Sequence, residues 1–383
     1  MICEKSLCTG CFACYNICPQ NAIDMKEDNL GYIYPVINQE KCTNCGLCKK
    51  ICPSINKQDF IYPKKCYASC SNNEKIRKES TSGGVATVFS TYIINHGGIV
   101  YGACFENDGS VKHIRVDNLT DLNRLKGSKY VHSYINNTFK FVKQDLLSKK
   151  IVLFIGTPCQ IAGLKKFLIK DYEQLYLVDL ICHGVPSQRF LRDEMKEELG
   201  NCEIDNISFR SIDGFYFQAI KDGRVLYKKI KELSPYFDGF MNALFYRENC
   251  YTCLYARPER ISDITIGDFW GLKNDSKLYN NKDKGVSVCL PITDKGIELI
   301  KNCEKELLLE ERDINEAVNG NSQLRMPSVK NNNEYNNFKK YYVKYGFYKA
   351  YKKATVYTRF KRKIKKNIIV NKIYKALKGD KNE

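Results

Sequence analysis

Cysteine carries the first chemical signal in this chain. It reads CTGCFACYNICP from Cys8 and CTNCGLCKKICP from Cys42. Cys8, Cys11, Cys14 and Cys18 therefore recur as Cys42, Cys45, Cys48 and Cys52, each 34 positions on, and both runs close on proline. C-x₂-C-x₂-C-x₃-C-P is the ligand run of paired [4Fe–4S] cubanes: one tight loop supplies three thiolates to one cluster, and its fourth cysteine reaches the neighbouring cluster. The spacing predicts one cluster on Cys8, Cys11, Cys14 and Cys52 and a second on Cys18, Cys42, Cys45 and Cys48. Gly10, Ala13 and Gly46 keep the loops small, so that backbone N–H groups can approach the sulfurs. Zinc is the rival, but it favours ligand pairs on separated knuckles over two runs of four ending in proline.

Four more thiols have positions that suggest chemistry. Cys159 follows the apolar run IVLFI (151–155) in GTPCQ, and Cys182 follows LYLVDLI in CHGVP. Short continuous apolar runs read as buried, parallel strands, and ligands gather at the carboxyl ends of such strands. Cys250 and Cys253 form a C-x₂-C pair. Together these four predict a third metal site, with an iron–sulfur cluster favoured over Cys₄ zinc because it would lie downstream of two redox clusters. Cys66 and Cys70, in the alternating run CYASCSN, read as buried strand residues. Cys3, Cys104, Cys202, Cys289 and Cys303 read as small core residues.

Two loops suit an anionic ligand. Thr81, Ser82, Gly83 and Gly84 stand directly before a helix-like run, Val85 to Ile94, whose first N–H groups lack partners. Lys126, Gly127, Ser128 and Lys129 form a small basic loop suited to phosphate or a flavin. An ordinary N-cap explains the first, and a solvated loop the second, when each is taken alone. His183, beside Cys182, is the candidate proton donor, with a structural hydrogen bond as its alternative. His96, His113 and His132 carry no readable signal. No G-x-G-x-x-G follows either apolar strand, which argues against a Rossmann dinucleotide site.

The elements that must position these groups are legible in outline. NAIDM and GYIYPVIN read as two short strands between the cysteine runs, SINKQDFIYPKK (54–65) as a linker, GGIVYGACF (97–105) as a turn and buried strand, and DITIGDFWG as a strand with a glycine-bounded loop. The expected class is α+β and α/β. Residues 1–58 form a two-cluster domain, 65–149 and 150–325 are two parts of an α/β body, and 330–383 are a basic helical tail. At 383 residues and 43% apolar content, the chain can bury such cores.

No run approaches 18 uninterrupted apolar residues and the first residues lack an apolar signal region, so neither a spanning helix nor a leader is expected. Nineteen cysteines, eight of them committed to free thiolates, suit a reducing cytoplasm and an anaerobic or microaerobic host.

Net charge is +18, but residues 330–383 hold 17 Lys/Arg against three acids, a net +14. The basic character therefore belongs to the tail. Val356, Tyr357, Phe360 and Ile364 share one helical face there; Ile369, Ile373 and Leu377 share another, with the change of phase at Asn367. A basic amphipathic segment with aromatics suits an anionic membrane surface at the inner face of the membrane. Docking on its own body is the plainer alternative, and nucleic acid the weakest.

TSGG, KGSKY, GTPCQIAGLKKFL, LICHGVPS, CYTCLYA and SDITIGDFWG stand in one order, and with them the chain resembles the coenzyme F420 hydrogenase/dehydrogenase beta-subunit family over about residues 1–310, preceded by a 2[4Fe–4S] ferredoxin-like module. FRSIDGF (209–215) departs from that family's usual basic-then-Trp pattern.

The resemblance implies a flavoprotein oxidoreductase with FAD in the α/β body beside a [4Fe–4S] cluster on Cys159, Cys182, Cys250 and Cys253. It also implies that Thr81 to Gly84 and Lys126 to Lys129 belong to the flavin pocket. Electrons would pass between a ferredoxin-type partner protein and, through FAD, a hydride acceptor. That acceptor is coenzyme F420 or an unidentified substrate, in some relatives one connected with cell-surface polysaccharide synthesis. An electron-carrier or assembly subunit without its own substrate is the alternative.

Overall fold

A computed structural model describes residues 2–200, 202–210 and 214–366. Near the amino end, strands β1 (Ile23–Glu27) and β2 (Ile33–Ile37) pair antiparallel between the two cysteine runs, as expected from NAIDM and GYIYPVIN. The linker lies against the body, where Ile61 and Arg260 exchange backbone hydrogen bonds of 2.8 Å.

The body is built on an eight-stranded mixed sheet. Its strands are β3 (Cys66–Ser71), β4 (Ile99–Phe105), β5 (Val111–Val116), β6 (Val152–Gly156) and β7 (Leu175–Leu180), followed past a small antiparallel sheet by the remaining three. That small sheet comprises β8 (Asn206–Ser208), β9 (Tyr216–Lys221) and β10 (Arg224–Ile230). The main sheet then takes β11 (Ile264–Asp268), β12 (Ser287–Pro291) and β13 (Leu307–Arg312), in the order β13-β3-β12-β11-β7-β6-β4-β5. The centre, β4-β6-β7-β11, is parallel, and antiparallel strands flank it on both sides.

The central strands are apolar on both faces because both faces are covered. Val100, Leu153 and Val178 pack with the helix Val85–Asn95, while Tyr101, Phe154 and Leu177 pack with the helix Pro158–Leu168. The period of two along each strand assigns the faces. Cys66 and Cys70 are fully buried on β3, as the alternating run predicts. Cys104, Cys289 and Cys303 are buried core residues, whereas Cys202 is exposed.

The carboxyl-terminal segment follows the plainer alternative and docks on the body. Its helices Asn332–Tyr345 and Phe347–Ala354 bury Tyr335, Phe338, Tyr342, Phe347 and Tyr351 in one core cluster with Phe190, Phe245 and Tyr32. Spacing at three and four residues places those aromatics on inward faces, and the basic residues of the same helices face outward. The tail as a separate unit therefore begins no earlier than the helix Val356–Lys366. The apolar face proposed for Ile369, Ile373 and Leu377, and the change of phase at Asn367, lie outside the described residues. No helix among the described residues is long and apolar enough to cross a membrane.

His113 on β5 is a buried polar group inside this sheet. Its ring stacks on Phe154 with centroids 5.1 Å apart, and its two nitrogens meet Ser133 Oγ at 2.8 Å and the Ile155 carbonyl at 3.0 Å. The carbonyl can only accept, so Nε2 carries the proton and Nδ1 accepts from Ser133. Burial pushes the His113 pKa down to about 4, and burial with the Arg247 charge pushes His132 down to about 3.

Two outcomes follow for stability. Phe338→Ala should cost about 3–5 kcal/mol, the range for emptying a buried aromatic site, and urea unfolding measures it. Below the free histidine value the unfolded chain binds protons that buried His113 refuses. Stability should therefore fall as pH drops from about 6.5 towards about 4, and His113→Gln should flatten that slope in urea titrations at several pH values.

Candidate functional site

The two cysteine runs interlock as their spacing predicts. One cavity, of about 20 Å³, is lined by Cys8, Cys11, Cys14 and Cys52. A second, of about 260 Å³, is lined by Cys18, Cys42, Cys45 and Cys48. Phe12 and Gly46 hold left-handed backbone (φ 62° and 74°) just before the short helices Ala13–Ile17 and Leu47–Lys50. This bends each loop around its cavity. Cys3, read from sequence as a core residue, stands in the first cavity within hydrogen-bonding reach of Cys8 and Cys52. No motif marks it, so only the fold reveals it.

The four scattered cysteines also come together. Cys159 sits in the first turn of the helix after β6, with its sulfur 3.2 Å from Thr157 Oγ1. Cys182 follows the end of β7, and Cys250 and Cys253 lie on and beside the turn Glu248–Thr252. Buried Arg260 ties the C-x₂-C loop to β7: it donates to the Tyr255 carbonyl at 2.7 Å and to Asp179 Oδ1 at 3.0 Å.

Burial, then the nearby Cys182 and Cys253 thiols, pushes Cys159 up to about 12. Burial and Cys253 do the same to Cys182. Burial raises Cys250 well above the usual range, followed by Cys182, Cys253 and Cys159. Neighbouring thiols disfavour one another's ionisation, and here half-buried Cys159, Cys182 and Cys253 act on fully buried Cys250. Among the described residues no three His, Cys, Asp or Glu side chains converge as the ligands of a single ion.

A cavity of about 450 Å³ opens at the carboxyl ends of β6, β7 and β11, within the usual size for a small-molecule site. Thr81, Ser82, Gly84, Lys126, Gly127, Ser128, Lys129 and His183 all line it, as does Cys182. Gly83 packs behind the rim, where a Cβ would come within 2.4 Å of the Ser69 carbonyl oxygen. The two loops are stitched by Ser128 N donating to Thr81 Oγ1 at 2.9 Å. Gly84, at φ 83°, leaves the helix Val85–Asn95 without a side-chain cap, and Gly84, Val85, Ala86 and Thr87 line the cavity.

The lysines differ from the basic loop expected. Lys126 pairs with Glu79 at 2.6 Å. Lys129 Nζ is buried and donates to the carbonyls of Leu125 and Lys126 at 2.9 and 2.6 Å, and burial holds its pKa down at about 8. Both ammonium groups fix the loop, which leaves backbone N–H groups and hydroxyls to meet an anion. His183 is exposed on the rim, and its carbonyl accepts from Ser328 Oγ at 2.6 Å.

Several lining residues escaped the sequence reading. His113, His132 and Ser133 form part of the wall; one histidine on a strand and one in a loop give no spacing signal. At the mouth, Arg210 makes a forked pair with Asp268, at 3.0 and 2.5 Å. Its guanidinium lies 4.7 Å from the Phe215 ring and 5.5 Å from the half-exposed Trp270 ring. Arg210 and Trp270 thus meet in space, and residues 211–213 lie outside the described residues.

The cavities also lie next to one another. Gly163, one turn beyond Cys159 on the same helix, packs against the first cysteine loop, and a Cβ there would lie 3.0 Å from Cys11 Sγ. Four residues of helix advance about 6 Å, so the Cys11 and Cys159 sets are near neighbours. Cys182 in turn belongs both to the third thiol set and to the wall of the large cavity.

Two family models match the chain. Residues 149–317 match the family described as the C terminus of the coenzyme F420 hydrogenase/dehydrogenase beta subunit. Residues 7–56 match the 4Fe-4S dicluster domain. A coenzyme F420-dependent sulfite reductase from Methanocaldococcus jannaschii is 25% identical over 323 residues, which is 75% of this chain and 46% of that protein. The chain thus spans less than half the length of that relative. A chain of the F420-reducing [NiFe] hydrogenase complex from Methanosarcina barkeri superposes with TM-score 0.47 at 16% identity, covering 70% of this chain and 94% of that one. Residues 149–317 are thus similar to the C terminus of the coenzyme F420 hydrogenase/dehydrogenase beta subunit, and residues 7–56 to a 4Fe-4S dicluster domain.

Proposed function

We propose that the chain is an iron–sulfur flavoprotein oxidoreductase that passes electrons between a ferredoxin-type partner and a hydride acceptor. Bound clusters would supply one-electron steps, and FAD the exchange between one-electron and hydride chemistry. The observation that carries this reading is the continuity of sites: Cys11 against Gly163, Cys159 one turn away, and Cys182 shared with the large cavity. The cysteines hold the metal centres, with Cys8, Cys11, Cys14 and Cys52, then Cys18, Cys42, Cys45 and Cys48, and then Cys159, Cys182, Cys250 and Cys253 as the three sets. Exposed Cys45 makes the second set the contact point for a redox protein.

Within the cavity, the Thr81–Gly84 and Gly127–Ser128 backbones and the bare helix start bind phosphate oxygens. Neutral His113 and His132 stay uncharged beside the ring system, and apolar walls exclude water. His183 on the rim is the group placed to hold or give a proton to an acceptor. The name of the F420-dependent relative supports F420 as acceptor; a substrate of cell-surface polysaccharide synthesis is the other class to assay.

Protein purified without oxygen should carry about twelve irons, from three four-iron clusters, and one flavin per chain. Cys182→Ser should lower iron by about four and slow flavin reduction by a reduced ferredoxin. Eight irons with no flavin would leave only an electron-carrier role.

A peripheral membrane role rests on one separate observation. On the helix Val356–Lys366, the side chains of Val356, Tyr357 and Phe360 are 60% or more exposed beside basic Arg359 and Lys361. An apolar strip flanked by cations suits an anionic lipid surface. Flotation with phosphatidylserine vesicles should retain the chain, and Tyr357→Ser with Phe360→Ser should release it. Equal flotation of both forms would dismiss the role.

A further inference from the structure

Arg247 is fully buried, and its guanidinium remains protonated at any pH the fold survives. Its backbone belongs to the third thiol set: its carbonyl accepts from Cys250 N at 2.9 Å, and its own N–H reaches the Val185 carbonyl at 2.9 Å. Its side chain reaches the other way, into the first cysteine loop. Nε donates to the Cys8 carbonyl at 2.6 Å, while Nη2 donates to the Ile33 carbonyl at 2.8 Å and lies 3.5 Å from Cys8 Sγ. The Tyr34 ring covers it at 4.2 Å. Nη1 has no hydrogen-bond partner and rests against Gly10, where a Cβ would lie 3.1 Å away.

Among the described residues, no carboxylate is paired with this cation. An isolated charge in a protein interior is strongly unfavourable unless an opposite charge faces it. The Cys8 sulfur faces it directly, and Cys250 lies within its electrostatic range through the turn that both residues share. Loaded as iron–sulfur centres, both sets carry net negative charge, which rises by one unit on reduction.

We propose that Arg247 is a fixed counter-charge shared by the Cys8-side cluster and the Cys250-side set, raising the reduction potential of both and joining them electrostatically. This rests on the iron–sulfur reading above. A buried cation at this range favours the more negative, reduced state, and bulk salt screens it little. The Cys18-side cluster, away from Arg247, lies outside this effect. Relative to the same fold without the charge, the junction favours electrons on the Cys8 and Cys250 sides over the Cys18 side.

The test uses the full-length chain loaded without oxygen, with iron content measured and each centre titrated by electron paramagnetic resonance. Arg247→Gln removes the charge, and Arg247→Lys keeps it while losing the planar fork. In Arg247→Gln the reduced-to-oxidised ratio of the Cys8-side cluster at fixed potential should fall about tenfold, which is 59 mV for one electron, and the Cys18-side cluster should shift much less. Arg247→Lys should stay close to the parent. If Arg247→Gln loses iron, retention of iron and potential in Arg247→Lys still supports the counter-charge. Unchanged potentials in Arg247→Gln, or equal loss in both variants, overturn it. Eight irons in the unsubstituted chain would instead fail the three-set reading and leave the Cys8-side shift as the test of Arg247.

Discussion

The close approach of the amino-terminal cysteine loops to the α/β body is the constraint on which the rest of the structure depends. Two positions without side chains permit it. Gly10 meets His132 and Arg247, and Gly163 meets Cys11. Hydrogen bonds then fix the contact: Tyr32 Oη donates to the Phe245 carbonyl at 2.7 Å, and Asn16 Nδ2 to the Asn136 carbonyl at 2.7 Å. Cys11, Phe12, Ile33 and Ile51 share a core cluster with Tyr101, Phe154 and Leu164. The two-cluster module is thus packed into the body, and its distance from the third thiol set is fixed by a helix rather than by a linker.

The parallel centre of the sheet explains why the other chemistry gathers where it does. β6 and β7 point the same way, so their ends deliver Cys159 and Cys182 to one rim, and β11 delivers Asp268 beside them. Side chains on strand ends and first helical turns are held by the sheet's own hydrogen bonds. The loop bearing Cys250 and Cys253 has no such frame. Arg260 provides one instead, at the cost of burying an ion pair with Asp179, which also accepts from Thr265 Oγ1 at 2.6 Å.

Polar groups in the cavity wall follow the same logic. His113 and His132 are kept neutral by burial, and Lys129 spends its donors on carbonyls of its own loop. The two lysines of the wall are held by Glu79 and by loop carbonyls, while the rim carries the forked Arg210–Asp268 pair and Trp270.

The sequence by itself determined the local elements and the thiol inventory, because these are short-range properties. Ligand spacing within a tight loop, apolar runs flanked by glycine, and the strand alternation around Cys66 and Cys70 need only a few neighbouring residues to be read. The tertiary structure decided what depends on packing between distant segments. It placed Cys3 beside Cys8 and Cys52, tied Lys126 to Glu79 and Lys129 to its own loop, and took the helices 332–345 and 347–354 into the core. It also brought Arg247 from the C-x₂-C turn to the sulfur of Cys8, 239 residues away in the chain. No periodicity encodes such meetings, since a buried charge finds its partner only when two separately folded surfaces close over it.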